Sequence, residues 1–316
     1  GGAGQVVDVA LYESVFNVME SLLPEFDAFG AVRGPAGSEV VVTYQRTGEP
    51  VPRDVVLTRE TIRITSVSSR VLEPGYGYLR IATFQAATGP QVLRQLRALN
   101  AQAEGGQLAG LVLDLRSNPG GLLLAAVQVA DDLLDKGNIV STRGRISISD
   151  ARFDATPGDL LKGAPVVVLV DAGSASASEV LAGALRDNKR ARVVGSRTFG
   201  KGSVQTVLPL DNGDSVKLTT ARYYTPSGKS IQASGIVPDV VVKPETGGKP
   251  GSVVEQDGQL FITEATLPGH LRGDEEGAAG YVPGDVLDGE APITAALAEL
   301  KKVAATARAT SDRQRR

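Results

Sequence analysis

Residues 166–187 read VVVLVDAGSASASEVLAGALRD. The unbroken β-branched run Val166–Val170 predicts a strand buried on both faces. Small residues and hydroxyls then turn the chain into a helix predicted from Ser176 to Asp187. Working outward, the same strand–helix grammar recurs. Upstream, Gly77–Phe84 reads as a strand and Pro90–Asn100 as a helix with Val92, Leu93 and Leu96 on one face. Leu111–Leu115 follows as a buried strand, running through Arg116-Ser117-Asn118-Pro119-Gly120-Gly121 into a helix over Leu122–Leu134. Ile139–Thr142 and Val193-Val194 read as further strands. Alternation of this kind predicts an α/β fold with largely parallel strands.

The flanks read differently. Leu11, Val15, Val18 and Leu22 recur at helical spacing, predicting a helix over 8–23 that Asp8 caps and Pro24 ends. Glu39–Arg46 and Val55–Arg63 predict a β-hairpin with no sheet of its own, a unit that is marginal alone. Residues 144–163 predict no element. Ser203–Leu210 and Ser215–Tyr223 flank the turn signal Asn212-Gly213-Asp214 and predict a second hairpin. Beyond Val242 only Ile293–Ala304 reads as helical, and Arg313–Arg316 is expected to fray.

Composition removes several chemistries. The 316 residues contain no Cys and a single His, which excludes disulfides, thiol nucleophiles, Cys-ligated zinc, iron–sulfur clusters and multi-His metal sites. A formal charge of −3 gives no electrostatic reason to expect nucleic acid. No run of about 18 apolar residues is present to span a membrane. The first residues lack the basic and apolar regions of an export signal. Because the chain opens on Gly1-Gly2 without Met, the natural start is expected to be missing.

A serine attacks a carbonyl only when something takes its proton, usually histidine. The one histidine, His270, falls in a polar stretch far along the chain, so lysine must serve if there is nucleophilic chemistry. Ser176 with Glu179 three residues on reads as a capping box, which needs no catalytic role. It reads equally as a nucleophile at a helix N-terminus, where free N–H groups favour a developing oxyanion. Lys201 could be a solvated surface charge. Gly200 and Gly202, which allow close backbone approach, and the apolar Phe199 and Val204 point instead to a covered amine able to act as a base. Gln205 could hydrogen-bond that amine. Gly120-Gly121 reads as a tight turn, a phosphate cradle or an oxyanion donor; the phosphate reading lacks a GxGxxG or GxxxxGK[ST] pattern. Asp114 and Arg116 are either an ion pair or strand-end polar groups.

Five blocks in order carry a resemblance: GYGYLRIATFQ (75–85), GLVLDLRSNPGGLL (110–123), VVLVDAGSASASEVLAGALRDNKRARVVG (167–195), TFGKGSVQTV (198–207) and TARYYTPSGKSIQASGIVPDVVV (220–242). Together they resemble the carboxyl-terminal processing, or tail-specific, serine peptidases. The resemblance implies a crotonase/caseinolytic-protease-like α/β core with an inserted PDZ domain that binds substrate C-termini. It implies Ser176 as nucleophile, Lys201 as general base, Gln205 as the residue orienting the lysine, and the Gly121 and Ala177 N–H groups as oxyanion hole. It calls for no cofactor and no metal. The expected substrates are proteins with apolar C-termini, and the expected compartment is the periplasm.

The expected organisation is a foreign or fused helical segment over 1–30, a partial PDZ-like β-hairpin over 31–63, the Ser–Lys peptidase core over 64–245 and a C-terminal extension over 246–316. Val7–Phe26 is similar to a segment of the class III CoA-transferases, so a junction from fusion or assembly is expected near Ala31–Ser38. The leading expectation is an endopeptidase. A catalytically silent binding or scaffold fragment is the alternative, because the PDZ and N-terminal regions are incomplete. Crotonase-like acyl-CoA chemistry is a third reading, and it leaves the Ser–Lys spacing unexplained.

Overall fold

The computed structural model describes residues 37–46, 51–59, 65–145, 147–209, 215–244, 263–274, 276 and 282–314. The helix predicted over 8–23, and most of the expected junction, lie outside the described residues. The chain divides into two compact units, Gly1–Thr65 with Thr206–Leu218, and Ser66–Gln205 with Thr219–Arg316.

Within the first unit, β1 (Glu39–Tyr44) and β2 (Arg53–Thr58) pair antiparallel from Glu39↔Thr58 to Tyr44↔Arg53, as the hairpin reading of Glu39–Arg46 and Val55–Arg63 expects. Val41, Val56 and Leu57 on it are exposed.

The second unit is built on a six-stranded sheet. Its strands are β3 (Val67–Glu73), β4 (Tyr76–Ile81), β5 (Gly110–Asp114), β8 (Val166–Val170), β9 (Ala191–Gly195) and β12 (Val240–Val241), in the spatial order β12-β9-β8-β5-β4-β3. All neighbours are parallel except β3 on β4. Every residue of β5 and β8 is buried, as the unbroken apolar runs require.

Alternate side chains of these strands pack against opposite layers, the period of two written into the pleat. Leu111, Leu113, Val166, Val168 and Val170 join a core with α1 (Thr88–Gln102), α2 (Leu123–Leu133) and α3 (Ala177–Asp187). Val112, Val167, Leu169 and Val194 face Ile293, Ala296 and Leu300 of α4 (Ala291–Gln314). Each fully buried aliphatic side chain contributes roughly 1.5–3 kcal/mol relative to exposure. The expected α/β architecture with a parallel sheet is therefore what forms.

A second sheet has the order β10-β11-β6-β7, with β6 at Asn138–Gly144, β7 at Ala151–Asp154, β10 at Ser203–Pro209 and β11 at Ser215–Tyr224. Three elements differ from the sequence reading. Residues 144–163, read as structureless, contain β7 and a short 3-10 turn at Ser147–Ser149. β3 was not predicted at all. Both are mostly exposed strands, so neither carries an apolar signal; antiparallel pairing to β6 and β4 makes them strands. The terminal helix also runs through Gln314, beyond the predicted Ala304; Ile293, Ala296, Leu300 and Ala304 give its first half one buried stripe.

Candidate active site

Three loops leave the C-terminal ends of the adjacent strands β5, β8 and β9, where open α/β sheets place their ligand crevices. They carry Ser117–Leu122, Asp171–Ser176 and Ser196–Gly202. Gly121, Ser176 and Lys201 sit on them, while Gln205 lies exposed on β10 and Ala177 is the first residue of α3.

Ser176 occupies the N-cap of α3 with φ 55° and ψ −114°, a strained backbone for a residue with a Cβ. The glycine turn packs directly on it. A Cβ built on Gly120 would stand 2.8 Å from the Ala175 carbonyl oxygen, 2.9 Å from Ser176 Cβ and 3.0 Å from the Ala177 nitrogen. Only glycine lets that turn approach the serine so closely, and φ of +103° at Gly120 and +128° at Gly121 reinforces the requirement.

Asn118 builds the turn. Its amide donates to the Ile81 carbonyl at 2.8 Å, and its side-chain oxygen accepts the Gly120 N–H at 2.9 Å. Its own carbonyl accepts the Ala175 N–H and the Ser178 hydroxyl. Phe84 clips the turn on the other side, donating to the Gly120 carbonyl and accepting from Leu122 N–H, both at 2.8 Å. Among the described residues, the N–H groups of Gly121 and Ala177 have no acceptor. Unspent backbone donors at strand-to-helix turns can receive a developing negative charge.

A Cβ on Gly121 would meet the Phe84 carbonyl oxygen at 2.2 Å. A Cβ there is therefore expected to displace the turn, and if Gly121 serves as the oxyanion donor the resemblance implies, Gly121→Ala should lower turnover about 100-fold or more. Measuring kcat beside a circular-dichroism melt separates this from global unfolding. Unchanged kcat would remove Gly121 from the site.

Lys201 is half-buried, and its backbone is bound to that of Ser176 through one carboxylate. Glu179, fully buried on α3, accepts the Ser176 N–H at 2.8 Å and the Lys201 N–H at 2.9 Å on the same oxygen. Its other oxygen accepts the Gly200 N–H at 2.7 Å and the Thr198 hydroxyl at 2.5 Å. Burial pushes the Glu179 carboxyl up to about 7, against the pull of these four hydrogen bonds. All four partners donate, so the hydrogen bonds favour the ionised form while burial favours the neutral acid. The lysine loop is also pinned to the serine loop by Phe199 N–H on the Ser174 carbonyl at 3.0 Å.

Beneath these loops lies Asp171, also fully buried. Its carboxylate accepts the N–H groups of Ser117 (2.8 Å), Gly173 (3.0 Å) and Leu287 (3.2 Å), tying the glycine-turn loop, the serine loop and the C-terminal segment together. Burial holds its carboxyl above the usual range. Asp114 and Arg116 form a buried ion pair at 2.7 Å, the first of their two sequence readings. Tyr78 donates to Asp114 at 2.7 Å, and burial with that neighbouring charge pushes the phenol up to about 12. Arg116 also donates to the carbonyls of Leu287 and Gly289.

His270 is engaged elsewhere, its ring nitrogens against the Leu267 carbonyl and the Glu276 carboxylate at 2.9 and 2.8 Å. Among the described residues no group of three or more His, Asp or Glu could hold a metal ion, and no helix is long and apolar enough to cross a membrane. Sequence reasoning took Glu179 only as a capping partner and missed Asp171. A capping-box pattern that precedes a lysine loop was the available signal for the first; nothing local marked the second.

Residues 75–242 match peptidase family S41. The carboxy-terminal-processing protease of Bartonella bacilliformis is 43% identical over 267 residues, 83% of this chain and 60% of the relative. The carboxyl-terminal-processing protease of a Synechocystis species is 39% identical, over 69% of this chain and 50% of its own length. Among solved structures, the photosystem II D1 C-terminal processing protease superposes with a TM-score of 0.53 at 40% identity, covering 70% of this chain and 60% of that one. The chain thus spans about half to 60% of the length of the relatives it matches.

Proposed function

The chain belongs to peptidase family S41, and from that premise we propose that it is a carboxyl-terminal processing serine endopeptidase working through a Ser176–Lys201 dyad. The Ser176 hydroxyl oxygen attacks the scissile carbonyl carbon while the Lys201 amine, as general base, takes its proton. The tetrahedral oxygen is held by the N–H groups of Gly121 and Ala177. Collapse expels the leaving amine, which receives the proton from Lys201 and leaves an acyl-enzyme. A water molecule, deprotonated by Lys201, then releases the acid and restores the serine. Gln205 is proposed to orient the amine.

The observation that carries this reading is the Glu179 oxygen shared by the N–H groups of Ser176 and Lys201. A buried carboxylate that couples those two backbones has no purpose in a plain helix cap. Substrates are proposed to be proteins with apolar C-termini, met in the periplasm, and the β1–β2 hairpin to be the closing part of a PDZ domain. A fluorophosphonate probe tests the reading: after digestion and mass mapping, the label is expected on Ser176. Absence of labelling, or labelling of another residue, would end it.

A further inference from the structure

Three successive N–H groups around Lys201 end on buried side-chain acceptors rather than on a sheet. Gly200 and Lys201 donate to Glu179; Gly202 donates to the side-chain oxygen of Gln232 at 3.0 Å. Gln232 is fully buried. Its amide nitrogen donates to the Glu264 carboxylate at 2.7 Å and to the Leu271 carbonyl at 2.8 Å. The orientation of that amide is fixed by its surroundings: turned over, it would set N–H against N–H and oxygen against two oxygens. The backbones are also in close contact, because a Cβ on Gly202 would lie 2.2 Å from the Gln232 backbone nitrogen.

The backbone beside it is held as well. Ala233 N–H donates to the Gly200 carbonyl and Tyr223 N–H to the Gly202 carbonyl, each at 2.8 Å. Glu264 in turn donates its N–H to the Phe199 carbonyl at 3.2 Å. The segment carrying Glu264 and Leu271 therefore grips the lysine loop at both ends, directly at Phe199 and through Gln232 at Gly202.

We infer that Gln232 is a positioning residue for Lys201, setting the amine for proton transfer by holding the loop at Gly202 where Glu179 holds it at Gly200 and Lys201, with Glu264 and Leu271 as its brace. The inference rests on the dyad reading above. A base must meet its hydroxyl within hydrogen-bond reach, and a lysine carried on a loop has four rotatable bonds that magnify any backbone drift. Gln232 restrains that drift through the Gly202 N–H.

The test is Gln232→Glu, alone and combined with Glu264→Gln. The single change keeps an acceptor for Gly202 but sets two carboxylates against each other. The double change restores a donor–acceptor pair with the roles exchanged. At neutral pH the single variant is expected to lose about 10- to 100-fold in kcat with KM little changed, the cost of a spoiled buried hydrogen bond. The double variant is expected to recover part of it, because the Leu271 carbonyl loses its amide donor in both variants.

Hydrogen exchange gives a readout independent of turnover: amides 199–204 should exchange faster in the single variant and recover in the double, while those of Gly110–Asp114 hold. Glu264→Ala, which removes the side-chain brace and leaves Gln232 in place, should move both readouts the same way should Gln232→Glu fold poorly. Parental exchange at 199–204 in these variants, unchanged kcat in an active protein, or no recovery in the double variant would each overturn the inference. A parent that cleaves nothing would instead strike the dyad reading, with exchange and its recovery still deciding whether Gln232 holds the loop.

Discussion

Lys201→Ala is expected to lower kcat at least about 1,000-fold, and Ser176→Ala to do the same, with KM little altered in either. The two act as one unit in the proposed mechanism, so the double variant should be no worse than either single change. Lys201→Arg should not rescue. A guanidinium stays protonated at any working pH, and it can hold a charge but accept no proton. The measurement is cleavage of an unfolded protein ending in apolar residues, followed by gel and mass spectrometry. Equal cleavage by parent and both variants would remove the dyad. Tight binding of C-terminal peptides with no turnover by the parent would favour the silent-scaffold reading. Saturable binding of an acyl-CoA would favour the crotonase-like one.

How far the sequence speaks depends on how far apart the partners lie. β5 and β8 are legible because one strand's apolar run is enough to declare it buried on both faces. The glycine turn and the serine helix are legible because a strand-to-helix turn needs its small residues within a few positions. Asp171 is not: its acceptors' work is done for Ser117 and Leu287, 54 and 116 residues away. Gln232 is silent for the same reason, its contacts lying 30 residues before and 32 after. β3 and β7 are hidden by exposure, since a solvated strand has no apolar face to announce it. Lys201 was read from its glycines, which report a crowded backbone; what crowds it, the Gln232 backbone beside Gly202 and Ala233 beside Gly200, could come only from the fold.

Glu179→Gln is the second large effect. Glutamine keeps the shape of the side chain but has one acceptor oxygen where four donors need two. Whichever way the amide turns, two donors face an N–H group: either Ser176 and Lys201, or Gly200 and Thr198. Two spoiled charge-assisted hydrogen bonds are expected to cost kcat about 100-fold or more, with KM little changed.

The pH dependence separates Glu179 from a passive cap. Its folded value of about 7 lies above the 4.5 of a free glutamate, so the folded state favours the neutral acid. The stability this provides is complete below 4.5 and is lost as pH rises through 7, roughly 3 kcal/mol in all. The ionised form, the one four donors require, is therefore bought with stability at working pH. Between pH 5 and 8 the parent's melting temperature should fall relative to the glutamine variant while its kcat rises, an opposition expected where a site holds a costly charge. Glu179→Gln with parental kcat at pH 8, or a melting-temperature gap that does not vary with pH, would reduce Glu179 to a helix cap and leave the coupling of Ser176 to Lys201 without its anchor.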